Sequence, residues 1–178
     1  RADGAGVLYA QPGRAFGGRS YIRELGGAAA RHQLRVAAAI ARADFAVDEL
    51  PPRAWCRPHV SADQILPHAV ATVANGHTTA VLASLRHGVP LVLVPNGSGT
   101  DVIADNCARA GAAVVVPEAE LSTDALDAAL TRVTCEPRYL DATRRLQAIL
   151  RGCDGVALAC GALVELGCAQ PAAQRSHA

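Results

Sequence analysis

The stretch Ala69-Val70-Ala71-Thr72-Val73-Ala74-Asn75-Gly76-His77-Thr78-Thr79 decides the fold. Six apolar or β-branched residues run into an Asn-Gly pair, and two hydroxyl residues follow. A short, continuous apolar run closed by turn residues reads as a strand buried on both faces. Residues 77–87 behind it read as a helix, with Gly88 suited to a left-handed cap. Pro90 then opens a second buried strand over 91–94. Strand, helix and strand in this order form one right-handed crossover, the unit of a parallel sheet.

The same alternation extends outward in both directions. Residues 7–10, 34–40, 53–57 and 113–116 read as further short strands. Residues 20–32 and 100–110 read as helices, although Gly26-Gly27 weakens the first. Residues 62–66 form a helical turn closed by Pro67. Ser122 is an N-cap for a helix carrying Leu126, Ala129, Leu130 and Val133 on one face. Residues 139–150 and 154–166 read as two more amphipathic helices. The sequence therefore predicts an α/β fold: a Rossmann-like parallel sheet of about six strands with helices on both faces. It predicts one domain over residues 1–168 and a flexible tail over 169–178.

Composition narrows the function. Apolar residues make up 51% of the 178, enough for a sizeable core and too many for a disordered chain. A net charge of +1 and 3% aromatic residues give no basis for nucleic-acid binding by charge or base stacking. No run of about 18 apolar residues predicts a membrane span, and no basic-then-apolar leader opens the chain, so a cytoplasmic location is expected. All 17 basic residues are Arg, which removes the P-loop and Schiff-base chemistry that needs a lysine amine. The chain contains no Met, which predicts a fragment, a processed product or one half of a larger assembly. None of Cys56, Cys107, Cys135, Cys153, Cys160 and Cys168 has C-x-x-C or zinc-ligand spacing, so reduced thiols and no metal are expected.

In open parallel sheets, ligands sit outside the carboxyl ends of the strands. That directs attention to the loops at 11–14, 59–62, 75–79 and 96–101. At 75–79 two readings fit the residues. The helix start, with its unpaired amides and positive dipole end, cradles a phosphate approached past Gly76. Alternatively Thr78 or Thr79 simply caps the helix and Gly76 turns the chain.

The stretch PPRAWCRPHVSADQILPHAVATVANGHTTAVLASLRHGVPLVLVP at 51–95 resembles the donor-binding half of GT-B glycosyltransferases, especially bacterial enzymes that decorate natural products. GAAVVVP at 111–117, EPRYLDATRRLQAIL at 136–150 and VLYAQPG at 7–13 continue the likeness. The resemblance implies one half of a GT-B fold that binds an NDP-sugar donor, UDP- or dTDP-linked. It implies inverting transfer to a small-molecule acceptor, with no metal and no cofactor. The catalytic base would lie on an N-terminal acceptor-binding domain or a partner chain, so no catalytic residue is assigned here.

By the same resemblance, His59 falls where a ring stacks on the nucleobase, beside the backbone of Val60. Asn75, Gly76 and His77 fall on the His-Gly-Gly positions facing the diphosphate, with Thr78 and Thr79 opening the helix. Gln11 and Gly13 fall on the first loop, which contacts the same phosphates. Gly99 and Thr100 stand where an Asp-Gln pair holds sugar hydroxyls, and Asp101 is near enough to substitute. Ala62 and Ala83 replace a Gln and a ribose-binding Glu. These departures keep two alternatives in view: a non-catalytic partner or activator subunit of a glycosyltransferase, and another sugar-nucleotide enzyme of similar architecture such as an epimerase. His68 is expected to pack or cap, His87 to meet its helix C-terminus, His32 and His177 to lie on the surface, and Trp55 to be core. Asp101 and Asp105 are expected to favour the helix dipole.

Overall fold

Each apolar run of the sequence becomes a strand in the computed structural model, which describes residues 6–12, 19–40, 53–57, 59–97 and 99–169. The strands are β1 (Val7–Gln11), β2 (Arg35–Ala39), β3 (Ala54–Arg57), β4 (Ala69–Ala74), β5 (Leu91–Leu93) and β6 (Ala113–Val115). The helices are α1 (Arg19–Arg31), α2 (Ala62–Ile65), α3 (Thr78–Arg86), α4 (Thr100–Arg109), α5 (Thr123–Cys135), α6 (Pro137–Arg151) and α7 (Gly155–Ala169). All pairings are parallel, in the order β3-β2-β1-β4-β5-β6. The chain builds outward from β1 to β3, then returns to the other side of β1 for β4. The sheet thus has a switch point between β1 and β4, where loops leave in opposite directions and open a crevice.

Alternation along the strands sorts side chains onto two faces. On one face Leu8, Ala10, Val36, Ala38, Ala71, Val73, Val92 and Val94 meet Ile22, Leu25 and Ala28 of α1 and Leu126, Leu130 and Val133 of α5. On the other, Ala74, Leu91, Leu93 and Ala113 meet Val81 and Leu85 of α3 and Ala104 and Cys107 of α4. A smaller cluster on that second side gathers Tyr9, Leu66 and Val89, with Val60 and Ile65 against them. The double covering explains why the strands read as unbroken apolar runs.

Gly26-Gly27 does not interrupt α1. A Cβ on Gly27 would lie 2.8 Å from Thr123 Oγ1, so the glycine lets α1 and α5 approach closely. The same contact is polar at its rim: Glu24 accepts hydrogen bonds from the Thr123 amide at 2.8 Å and from its hydroxyl at 2.5 Å.

Two expectations change. Trp55 is not core: it lies on the edge strand β3, 46% exposed, with the Arg57 guanidinium 5.4 Å from its ring centre. α7 is not amphipathic: Glu165 is its one charged residue, and Val156, Leu158, Leu163, Val164 and Leu166 are all more than 60% exposed. Among the described residues no helix is long and apolar enough to cross a membrane. Gly13, Pro51-Pro52 and the tail beyond Ala169 lie outside the described residues.

The hydrogen bonds from Thr123, with help from Arg23, hold the Glu24 carboxyl below its ordinary value of 4.5. A folded-state value below the unfolded one stabilises the protein above the unfolded value, and the benefit disappears as pH falls through the folded one. Glu24→Gln is therefore expected to lower stability to urea at pH 7, with the gap from wild type closing below about pH 4. A gap that stays constant between pH 7 and pH 3 would show that the carboxylate charge contributes nothing.

Candidate functional site

The site is built on the register between β1 and β4. Tyr9 pairs with Thr72 and Gln11 with Ala74, so both strands end level at the switch point. The next residue, Asn75, is 1% exposed. Its Oδ1 accepts the His77 amide at 3.3 Å, which forms the turn into α3. Its Nδ2 is buried and has no hydrogen-bond partner among the described residues. A buried donor left unpaired costs about 1–3 kcal/mol, so this one stands out.

Gly76 follows in the left-handed region at φ +88°. A Cβ there would lie 3.0 Å from the Thr100 carbonyl oxygen and 3.3 Å from Thr100 Cβ. The missing side chain brings the loops after β4 and β5 together, and Thr100 fills the space expected for an approaching anion. What faces outward is the helix start. His77 is the N-cap residue, and no side chain makes a cap hydrogen bond. The simple capping role for Thr78 or Thr79 is therefore not taken up. His77, Thr78 and Thr79 are exposed, and the amides of the first turn have no intrahelical acceptor. The helix is held against the sheet by a buried polar latch, with the Ser84 and Thr72 hydroxyls 2.8 Å apart.

The loop after β5 satisfies itself. The Thr100 hydroxyl donates to the Gly97 carbonyl and accepts the Asn96 amide at 3.2 Å, and Thr100 is 1% exposed. Gly99 is the N-cap of α4, and Asp101 is exposed in its first turn. Gln11, half-buried, accepts a hydrogen bond from the Tyr9 hydroxyl at 3.1 Å. Burial pushes the Tyr9 phenol above its usual range, so it stays a donor. His59 is exposed, while Val60 turns back from the sheet edge to pack by Tyr9. α2 behind it is tied to α3 by His87 Nε2 and Asp63 Oδ1, 3.0 Å apart.

The structure thus gathers Gln11, Asn75, Gly76, Thr78, Thr79, Gly99 and Asp101 at the carboxyl edge of three adjacent strands. Tyr9, which the sequence reading does not single out, stands two residues before Gln11 on the same strand face. Two of the other histidines make side-chain contacts, and His177 lies outside the described residues. The His32 ring is 3.0 Å from Asp127 Oδ1 and only 19% exposed, which corrects its surface assignment. His68 is exposed at the end of the 3-10 turn Leu66–His68. His87 does sit at the C-cap of α3, but its ring is spent on Asp63.

A cavity of about 870 Å³ lies at the opposite, amino edge, lined by Gly6, Leu34, Pro67, His87, Gly88 and Pro137 among others. There α1, α3 and α5 end and α6 begins, so helix C-termini and one N-terminus share its lining. No three His, Cys, Asp or Glu side chains among the described residues converge to hold a metal.

Six parallel strands in this order with helices on both faces define a Rossmann-like domain of the kind that forms one half of a GT-B fold. Residues 27–152 match the family model described as erythromycin biosynthesis protein CIII-like, C-terminal domain, and the chain belongs to that family. It is 26% identical over 119 residues to the uncharacterized UDP-glucosyltransferase YojK of Bacillus subtilis (strain 168), a match covering 67% of this chain and 29% of that protein. It is 34% identical over 88 residues to the 3-alpha-mycarosylerythronolide B desosaminyl transferase of Saccharopolyspora erythraea, covering 47% of this chain and 20% of that one. Among solved structures, the calicheamicin glycosyltransferase CalG4 superposes with a TM-score of 0.81 at 27% identity, over 96% of this chain and 46% of its own. The glycosyltransferase VinC, solved in complex with dTDP, superposes with a TM-score of 0.67 at 24% identity, covering 83% of this chain and 38% of its own. The chain spans less than half the length of these relatives.

Gly76→Ala is expected to lower stability by about 1–3 kcal/mol, since it adds a backbone clash to a left-handed conformation. Gly97→Ala has the same backbone region, φ +83°, but open space around it, and is expected to cost about 1 kcal/mol. Urea denaturation of both variants checks this; equal losses would show that the Thr100 approach does not constrain position 76.

Proposed function

We propose that this domain is the donor-binding half of a glycosyltransferase of natural-product biosynthesis, holding the diphosphate of a UDP- or dTDP-sugar at the switch point. The observation that carries this reading is Asn75 Nδ2, a buried donor without a partner among the described residues, two residues before the N-cap of a helix whose N-cap side chain makes no cap hydrogen bond. A phosphate oxygen would recover the unpaired hydrogen bond, while the first-turn amides and the dipole meet the charge.

In the reaction, the bond from the anomeric carbon to the donor phosphate breaks as a bond to the acceptor oxygen forms on the opposite face. The acceptor proton goes to a base outside this chain, on an N-terminal acceptor-binding domain or partner. Negative charge grows on the departing diphosphate, so groups fixed around it favour the transition state over the bound donor. In this reading His59 would stack on the nucleobase, next to Val60. Gly99 and Asp101 would face the sugar, and Gly13 belongs to the phosphate loop in this reading.

The second reading, a non-catalytic partner or activator subunit, is favoured by one observation: the Thr100 hydroxyl is already spent inside its own loop. A chain of that kind would not discriminate between donor sugars.

Calorimetric titration with UDP, dTDP and GDP tests the proposal. Asn75→Asp keeps an oxygen for the His77 amide but replaces the donor with a negative charge. It is expected to weaken nucleoside diphosphate binding at least tenfold, equivalent to about 1.4 kcal/mol, and to leave uridine or thymidine binding unchanged. Wild-type protein that binds no nucleotide at millimolar concentration would overturn the donor reading and favour the partner-subunit one.

A further inference from the structure

We infer that Tyr9 is a positioning residue that sets the Gln11 carboxamide as a phosphate donor and links it to the nucleobase loop. The inference rests on the donor-site reading above and adds a residue to it. A side-chain amide has one accepting end and one donating end, and it serves an anion only when the donating end faces it. Left alone, Gln11 would present either end to a ligand at similar cost. A phenol hydroxyl can donate to the oxygen or accept from the NH₂ group, and here it does the first. It donates to Gln11 Oε1 at 3.1 Å, so the oxygen is turned back toward the sheet and Nε2 is left as the outer group.

Three features make Tyr9 suited to this task. It is 1% exposed, so its ring has one orientation in which to hold the hydroxyl. Its burial keeps the phenol protonated, so it can only donate to a carbonyl oxygen. Gln11 stands in register with Ala74, which places its carboxamide beside the turn that carries the unpaired Asn75 Nδ2. In this inference the Gln11 and Asn75 amides, carried at the ends of neighbouring strands, serve the same anion. An anion held between them gains charge-assisted hydrogen bonds without a lysine, which this chain lacks.

The other end of the same side chain supports the nucleobase loop. The Tyr9 ring packs with Leu66 and Val89, and Val60, the neighbour of His59, rests on this cluster. One rigid aromatic therefore fixes the phosphate-facing amide with its hydroxyl and the base-facing loop with its ring. The two functions separate by mutation, because Tyr9→Phe removes the hydroxyl and keeps the ring.

The test uses the full 178-residue chain with UDP and dTDP as probes, and uridine and thymidine as phosphate-free controls. Tyr9→Phe is expected to weaken the diphosphates about three- to tenfold, with the nucleosides and the unfolding midpoint unchanged. Gln11→Ala should weaken them similarly, and the double variant no further than either single one. The side-chain NH₂ resonances of Gln11 should shift on adding UDP to wild-type protein and lose that response in Tyr9→Phe. Additive losses, or a Tyr9→Phe protein that binds UDP as wild type does, overturn the inference while the donor site stands. Wild-type protein that binds neither diphosphate overturns the donor reading and this inference together.

Discussion

The parallel pairing of β1 with β4 is the constraint on which the rest of this structure depends. Because Gln11 stands level with Ala74, two loops leave the sheet side by side and diverge. No other adjacent pair of strands has that property, since every other neighbour continues the winding in one direction. The crevice is therefore a consequence of strand order and register. Losing that register by one residue would turn Tyr9 and Gln11 to the opposite face, away from Val60 and the α3 start.

Around that crevice the protein meets competing demands from packing and polarity. Close approach of the β4 and β5 loops requires a residue without a Cβ at position 76, and the same turn buries the Asn75 amide. Thr72 and Ser84 satisfy one another beneath the helix, so the polar groups at depth are paired. Nearer the edge the accounting stops closing: among the described residues Asn75 Nδ2 has no acceptor, and the first-turn amides of α3 have none within their helix. In the proposed reading that unpaired donor, with satisfied groups below it, is kept for an acceptor-rich ligand.

Much of this architecture was legible in the sequence for simple reasons. Strands buried on both faces must be apolar throughout, so 69–74 and 91–94 announced themselves, and Ser122 caps α5 through its hydroxyl as its position suggested. The site loops followed from the strand order, and the family resemblance is borne out by the match over residues 27–152. What stayed hidden depends on distant partners. Gly27 looked like a helix breaker until Thr123 was seen against it, and Gly76 looked like an opening until Thr100 was seen filling it. Trp55 carried no local sign that its strand would be an edge. α7 reads as an amphipathic helix, yet Glu165 is its one charged residue and it is exposed from Gly155 to Gly167. Tyr9 was indistinguishable from a core aromatic until its hydroxyl had a partner.

Amide-detected NMR of the chain titrated with UDP and with dTDP tests the central claim most directly. The account predicts that the largest changes fall on the Asn75 side-chain NH₂ and the backbone amides of Gly76, His77, Thr78 and Thr79, at the carboxyl edge of the sheet. Changes confined to the amino-edge cavity around Pro67, Gly88 and Pro137, with Asn75 unmoved, would contradict it.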